Sequence, residues 1–107
     1  MAKEGTINWN GDNGKQYKYE IYPIRTTFTE GPANYVFARK ASDGFHNVYA
    51  GETGDLSERF DDHERMPCIK REGATHVTMH PSSAVKSQRL EEETAIRRYY
   101  NPPCNRQ

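Results

Sequence analysis

Residues 33–63, ANYVFARKASDGFHNVYAGETGDLSERFDDH, decide the fold that we predict for this chain of 107 residues. The first half of this stretch contains two runs of strand-forming residues, 33–39 and 45–50, which flank the turn sequence Ser42-Asp43-Gly44. Two such runs around a short turn with glycine predict a β-hairpin. We expect this hairpin to lie at the centre of the domain and Gly51 to begin the turn after it.

A helix is predicted after the hairpin, over about residues 56–65. Asp55 and Glu58 are spaced like an N-cap residue and the acidic residue that answers it three positions later. The proline that follows the stretch would end the helix. Arg59 and His63 are four residues apart, so they would share one helix face, where a phosphate could bind between the guanidinium and the imidazole.

The rest of the chain completes an α+β domain. Apolar and polar residues alternate with period two over residues 15–22 and again over residues 74–79, which predicts two further strands. A final helix is predicted over residues 83–100, because Asn101-Pro102-Pro103 would end it. We therefore predict a small, mainly antiparallel sheet of three core strands plus an N-terminal extra strand, flanked by α-helices.

Length and composition limit the classes of function. We expect one domain over residues 15–107, with its core at about 33–105, after a flexible or irregular segment at residues 1–14. The 15 basic and 15 acidic side chains cancel, so binding to nucleic acid would need a local basic patch. We expect a cytoplasmic protein with no membrane partner, since the sequence has neither a long apolar run nor the apolar core of a signal peptide.

The two cysteines, Cys68 and Cys104, are far apart and lack the spacing of a metal or redox motif. This favours two reduced thiols over a disulfide framework or a structural zinc site. A metal cluster of Cys68, His76 and His80 is the less favoured alternative.

The chain resembles the GIY-YIG nuclease superfamily from about residue 33 to residue 105. The family's Tyr-Ile-Gly signature is similar to Tyr49-Ala50-Gly51, and its G-x-x-x-x-L-x-x-R run is similar to the nine residues that end at Arg59. The Gly-Ile-Tyr signature falls on Ala33-Asn34-Tyr35, which keeps the tyrosine but neither the glycine nor the isoleucine. The resemblance implies a GIY-YIG endonuclease-like fold.

A later part of the family pattern is a glutamate with a proline nine residues and an asparagine twelve residues further on. Glu93, Pro102 and Asn105 have this spacing. The adjacent Glu92 is the rival for the glutamate position, although it would place the proline ten residues away. We prefer Glu93, and a helical wheel alone leaves the choice open.

The resemblance implies an endonuclease that hydrolyses DNA phosphodiester bonds with Mg²⁺ or Mn²⁺. A tyrosine would be the general base, the arginine would bind the scissile phosphate, and the histidine would shuttle or orient a proton. The glutamate would bind the metal, and the asparagine would anchor the C-terminal loop. The residues predicted for these catalytic roles are Tyr35, Tyr49, Arg59, His63, Glu93 and Asn105, with Glu93 as the metal ligand.

DNA is the expected partner, and basic side chains are the candidates for contacts to its backbone. These candidates are Lys70, Arg71, Arg89 and Arg97. Because the chain contains no separate recognition domain, a homodimer or a targeting protein would direct the enzyme to its DNA. The alternative is a non-catalytic module that binds nucleic acid or protein on the same fold, which the altered first signature and the neutral charge favour.

Overall fold

The computed structural model describes residues 3–58, 60 and 63–106. The elements in chain order are β1 (Gly5–Asn10), β2 (Gln16–Pro23), β3 (Ala33–Ala41), β4 (Gly44–Thr53), α1 (Met66–Arg71), β5 (His76–Pro81) and α2 (Lys86–Tyr100). The strands form one antiparallel sheet in the order β1-β2-β5-β3-β4. The α+β class and the antiparallel sheet are confirmed, but the sheet has five strands rather than four.

The additional strand is β1, in the segment that the sequence predicts to be irregular. It pairs along its whole length with β2, from Gly5 opposite Ile21 to Asn10 opposite Gln16. Trp9 is 2% exposed, and its indole nitrogen donates a hydrogen bond of 2.9 Å to the hydroxyl of Thr78 on β5. One large aromatic side chain with a satisfied polar group thus orders a segment that has few other apolar residues.

The hairpin β3–β4 forms as predicted, but β4 is longer than expected. Tyr35 lies opposite Gly51 and Phe37 lies opposite Tyr49, with an irregularity in the register after Phe37. Gly51 is therefore part of the strand and does not begin a turn. The pairing continues to Thr53, which carries the sheet past the end of the Tyr-x-Gly signature.

Neighbouring residues of β3 contribute to two different cores, because successive side chains of a strand point to opposite faces of the sheet. Val36 and Ala38 pack with Ile96 of α2 on one face. Tyr35 and Phe37 belong to the other core, which also contains the buried residues Val48, Leu56, Met66, Ile69, Val77, Met79 and Cys104. The helix α2 thus covers one face, and the chain between β4 and β5 covers the other.

The helix predicted over residues 56–65 does not form in the described part of that stretch. Asp55 does act as a local cap, since its carboxylate accepts hydrogen bonds of 3.0 and 2.7 Å from the backbone and hydroxyl of Ser57. The chain then makes turns, and the first α-helix begins only at Met66, with Pro67 in its first turn. Proline is favoured at this position, so it starts a helix here instead of ending one. Arg59 lies outside the described residues.

Cys68 and Cys104 form a disulfide bond, so the prediction of two reduced thiols is wrong. Their Cα atoms are 5.7 Å apart although 36 positions separate them in the sequence. The backbone N–H of Cys104 donates a hydrogen bond of 3.0 Å to the carbonyl of Val48, so the C-terminal segment is held against β4. The disulfide also removes Cys68 from the alternative metal cluster with the two histidines. Within the described ranges, no helix is long and apolar enough to cross a membrane.

Candidate active site

Tyr35, Tyr49 and His63 meet on the face of the hairpin opposite α2. The hydroxyl of Tyr35 lies 2.9 Å from Nε2 of His63. The ring of Tyr49 contacts the same imidazole edge to face, with ring centroids 5.0 Å apart, and the two tyrosine rings are 6.3 Å apart. The structure therefore brings together three of the residues predicted for catalysis, although no helix holds His63.

The position of Tyr35 depends on the absence of a side chain at Gly51. A Cβ atom built at Gly51 would lie 2.6 Å from Cζ and 2.7 Å from the hydroxyl oxygen of Tyr35. The tyrosine ring thus lies directly over the backbone of the neighbouring strand, where only glycine leaves room. This contact gives a physical reason for a glycine two residues after Tyr49.

The backbone around His63 determines where the imidazole carries its proton. The N–H of Arg65 donates a hydrogen bond of 3.0 Å to Nδ1 of His63. Burial lowers the pKa of His63, so the ring is neutral near pH 7. Because Nδ1 accepts a hydrogen bond, Nε2 carries the proton, and this N–H donates a hydrogen bond to the hydroxyl oxygen of Tyr35. The hydroxyl hydrogen of Tyr35 is then free to point away from His63.

Both tyrosines are protonated in the resting site. Burial raises the pKa of Tyr35 far above its ordinary value, and the nearby Tyr49 and the charge of Glu93 raise it further. Burial also raises the pKa of Tyr49, with Glu93 as the next largest cause, while the guanidinium groups of Arg65 and Arg97 oppose the change. Loss of a proton from either phenol would therefore need an added positive charge nearby.

Glu92 and Glu93 have different surroundings on α2. The carboxylate of Glu92 accepts a hydrogen bond of 2.6 Å from the hydroxyl of Tyr19 and lies 3.3 Å from Nδ1 of His80. Glu93 instead influences the two tyrosines of the site, and its side chain is 15% exposed. Burial raises the pKa of Glu93, although Arg97, at 3.9 Å, partly opposes this. The charge of Glu93 raises the pKa of both tyrosines of the site, whereas the carboxylate of Glu92 is engaged by Tyr19 and His80.

Asn105 attaches the C-terminal segment to the strand that carries Tyr49. Its side-chain oxygen accepts a hydrogen bond of 2.8 Å from the N–H of Ala50, and its side-chain nitrogen donates one of 2.9 Å to the carbonyl of the same residue. A carboxamide is well suited to this pairing, since it has a donor and an acceptor side by side. Asn105 therefore supports the backbone between Tyr49 and Gly51, and the predicted anchoring of the C-terminal loop agrees with this geometry.

A cavity of about 430 Å³ opens beside Tyr35 and His63. Its other lining residues are Glu52, Thr53, Asp55, Glu58 and Phe60. Arg89 pairs with the carboxylate of Glu52, and the carboxylates of Asp55 and Glu58 favour a cationic occupant over a bare phosphate. From the sequence, Glu52 and Asp55 could repel DNA or support the metal, with capping preferred for Asp55, and Glu58 has a role only in the capping pattern. No local pattern marks them as neighbours of Tyr35.

Arg89 is buried and its guanidinium is hydrogen-bonded within the protein. Its guanidinium donates hydrogen bonds of 2.9 Å to the carboxylate of Glu52 and to the carbonyl of Ser83, and the residue is 6% exposed. This burial removes Arg89 from the side chains available to a nucleic-acid backbone. The other candidates, Lys70, Arg71 and Arg97, are exposed, and Arg97 lies on the same helix as Glu93.

No model of a known protein family matches the chain, and neither a curated protein nor a solved structure matches it significantly. The resemblance to the GIY-YIG superfamily thus rests on the sequence motifs, and membership stays a prediction.

Proposed function

We propose that this domain is a divalent-metal-dependent endonuclease that hydrolyses DNA phosphodiester bonds through a GIY-YIG-type site. The observation that carries the proposal is the cluster of Tyr35, Tyr49 and His63, with the charge of Glu93 acting on both tyrosines. These residues come from two strands, a loop and the last helix, and they combine a phenol, an imidazole and a carboxylate. The proposed hydrolysis uses a base, a group that orients that base and a group that can hold a metal.

Tyr35 is the proposed general base. The N–H of His63 donates to its oxygen, and a hydrogen bond of this direction favours the phenolate form once the proton leaves. The hydroxyl hydrogen, which His63 does not accept, can pass to a water molecule in the cavity or to one of the carboxylates that line it. His63 thus orients Tyr35 and stabilises its negative charge, and it need not gain a proton at Nδ1.

Glu93 fits the role of a single carboxylate ligand for Mg²⁺ or Mn²⁺. It is mostly buried, and its ion-pair partner among the described residues, Arg97, lies 3.9 Å away. The described residues contain no group of three or more side chains that could hold a metal ion, so water and substrate phosphate would supply the other ligands. The metal would act as a Lewis acid on the phosphate and would add the positive charge that lowers the pKa of a nearby phenol.

Arg59 is proposed to bind the scissile phosphate. A guanidinium can form two parallel hydrogen bonds with a phosphate and keeps its charge at any pH relevant to the enzyme. The assignment follows from the spacing of the sequence motif.

A non-catalytic binding module on the same fold is the second candidate. The cavity beside Tyr35 favours it, because the carboxylates of Glu52, Asp55 and Glu58 would repel a phosphate in the absence of a cation. In that case the tyrosines would be packing residues, and cleavage would be absent with every metal.

The Glu93→Gln variant tests the catalytic proposal, with Glu91→Gln as a matched control on the same helix. Both changes remove one negative charge, but Glu91 is exposed, whereas the side chain of Glu93 is mostly buried and pairs with Arg97. Plasmid, single-stranded and branched DNA are incubated with Mg²⁺ or Mn²⁺, and cleavage is followed on gels. We expect Glu93→Gln and Tyr35→Phe to lower the rate at least about 100-fold and Glu91→Gln to retain it. A wild-type protein that cleaves none of these substrates, or that is matched by Glu93→Gln, refutes the proposal.

A further inference from the structure

A second cavity of about 430 Å³ lies where α2 ends and the C-terminal segment begins. It is lined by Arg97, Arg98, Asn101 and Asn105. Asn101 has a left-handed backbone conformation, with φ of 48°, which ends the helix and turns the chain back toward β4. Two guanidinium groups and two carboxamides therefore surround one concavity, and these are the side chains that commonly bind phosphate oxygens.

The donors in this cavity are only partly used within the protein. The guanidinium of Arg97 is 3.9 Å from the carboxylate of Glu93, which is too long for a hydrogen bond. Asn105 uses one of its two side-chain N–H groups to bind the carbonyl of Ala50. In the part of the chain that the structure describes, Arg98 forms no ion pair, and its side chain is exposed. Donors thus remain for a ligand.

The net charge of the cavity is positive despite its place at a helix C-terminus. The helix end contributes about half a negative charge. The backbone N–H of Asn101 already bonds to the carbonyl of Arg97 at 2.8 Å, which satisfies one of the groups that carry this charge. Two permanent positive charges on Arg97 and Arg98 exceed this half charge together with the charge of Glu93, 3.9 Å from Arg97, so an anion is the ligand that the cavity favours.

The cavity is also close to the candidate active site. Asn105 lines it and holds the backbone of Ala50, the residue between Tyr49 and Gly51. Arg97 lines it as well, and its ion-pair partner Glu93 is the proposed metal ligand. An anion bound here would contact the residue that holds Ala50, next to Tyr49, and would share no lining residue with the cavity beside Tyr35.

We propose that the cavity of Arg97, Arg98, Asn101 and Asn105 binds a backbone phosphate of a nucleic-acid strand next to the phosphate that reacts. This rests on the proposed function for the identity of the substrate, but binding at the cavity needs no cleavage. In the absence of a metal ion, the carboxylates of the other cavity disfavour phosphate, so the strand would first contact the C-terminal end of α2.

Arg98→Gln is the variant that tests this subsite, because Arg97 pairs with the proposed metal ligand. Lys86→Gln is its control, since Lys86 is an exposed cation at the other end of α2, about 18 Å away at 1.5 Å per residue. Fluorescence anisotropy measures the binding of a labelled single-stranded DNA oligonucleotide in EDTA at several salt concentrations. Without metal the oligonucleotide stays intact.

We expect Arg98→Gln to weaken binding several-fold and to reduce the slope of log K against log salt by about 0.7, the value for one lost phosphate contact on a single strand. Lys86→Gln should keep the wild-type slope. Three results would overturn the subsite. They are the same salt slope for Arg98→Gln and the wild type, the same loss of DNA affinity in Arg98→Gln and Lys86→Gln, and no DNA binding by the wild type. The proposed nuclease activity is tested independently of this subsite. Wild-type protein that binds with the expected slopes but never cleaves DNA would support the subsite and refute the nuclease activity.

Discussion

Gly51→Ala should destabilise the domain because the new methyl group would overlap the ring of Tyr35. The Cβ atom would lie 2.6, 2.7 and 2.9 Å from three atoms of that side chain, where carbon contacts need about 3.5 Å or more. The ring cannot move away easily, since Tyr35 is 5% exposed and packs against Phe60 and Phe37 at centroid distances of 4.9 and 5.8 Å. Any shift also breaks its hydrogen bond with His63.

The magnitude follows from three terms. Overpacking a buried site costs about 1–3 kcal/mol. Loss of the hydrogen bond between Tyr35 and His63 costs about 1 kcal/mol more. Replacing glycine within a strand recovers about 0.5–1 kcal/mol of conformational entropy. The overlap outweighs the entropy, and we expect the free energy of unfolding to fall by about 2 kcal/mol in Gly51→Ala.

Urea denaturation measures this change, with Gly54→Ala as the control. A Cβ at Gly54 would be 3.6 Å from the guanidinium of Arg89, an ordinary contact, so its effect should stay within about 0.5 kcal/mol. In a Tyr35→Leu background, which removes the ring, Gly51→Ala should cost less than half as much. A cost equal to that of Gly54→Ala, or an undiminished cost in the Tyr35→Leu background, would refute the steric argument.

Two other predictions concern the disulfide and the imidazole. The disulfide between Cys68 and Cys104 closes a loop of 36 positions, so its reduction should lower the free energy of unfolding by about 4 kcal/mol. Urea denaturation with and without dithiothreitol measures this change. A Cys104→Ser variant should show no response to the reductant. Burial lowers the pKa of His63 in the folded state, so the unfolded state binds more protons once the pH drops below about 6.5. The free energy of unfolding should therefore decrease as the pH decreases through this range. The loss between pH 7.5 and 5.5 should be smaller in His63→Gln than in the wild type, and parallel pH curves would contradict the assignment.

The largest error of the sequence-based prediction lies between the hairpin and α1. Asp55 and Glu58 have the spacing of a helix start, and Asp55 does bind the backbone of Ser57, but a capping pattern stabilises only the first turn. Continuation depends on packing, and here the N–H of Leu56 instead donates to the carbonyl of Gly31 at 2.8 Å. His63 still lies beside Tyr35, so two residues predicted to share a site do meet, although the predicted local structure was wrong.

Local patterns in the sequence were sufficient for the hairpin, for β2 and β5, for α2 and its end, and for the α+β class, because strand and turn preferences act over a few neighbouring residues. Only the tertiary structure decided how distant residues meet. Several contacts join positions far apart in the chain. They are the hydrogen bond between Trp9 and Thr78, the disulfide between Cys68 and Cys104, and the hydrogen bond from Tyr19 that distinguishes Glu92 from Glu93. Such contacts depend on the register of the sheet and on the placement of α2 over it, which no local pattern contains. The glycine of the Tyr-x-Gly signature lies between these cases: the motif marks residue 51, and the ring of Tyr35 on the neighbouring strand explains why it must be glycine.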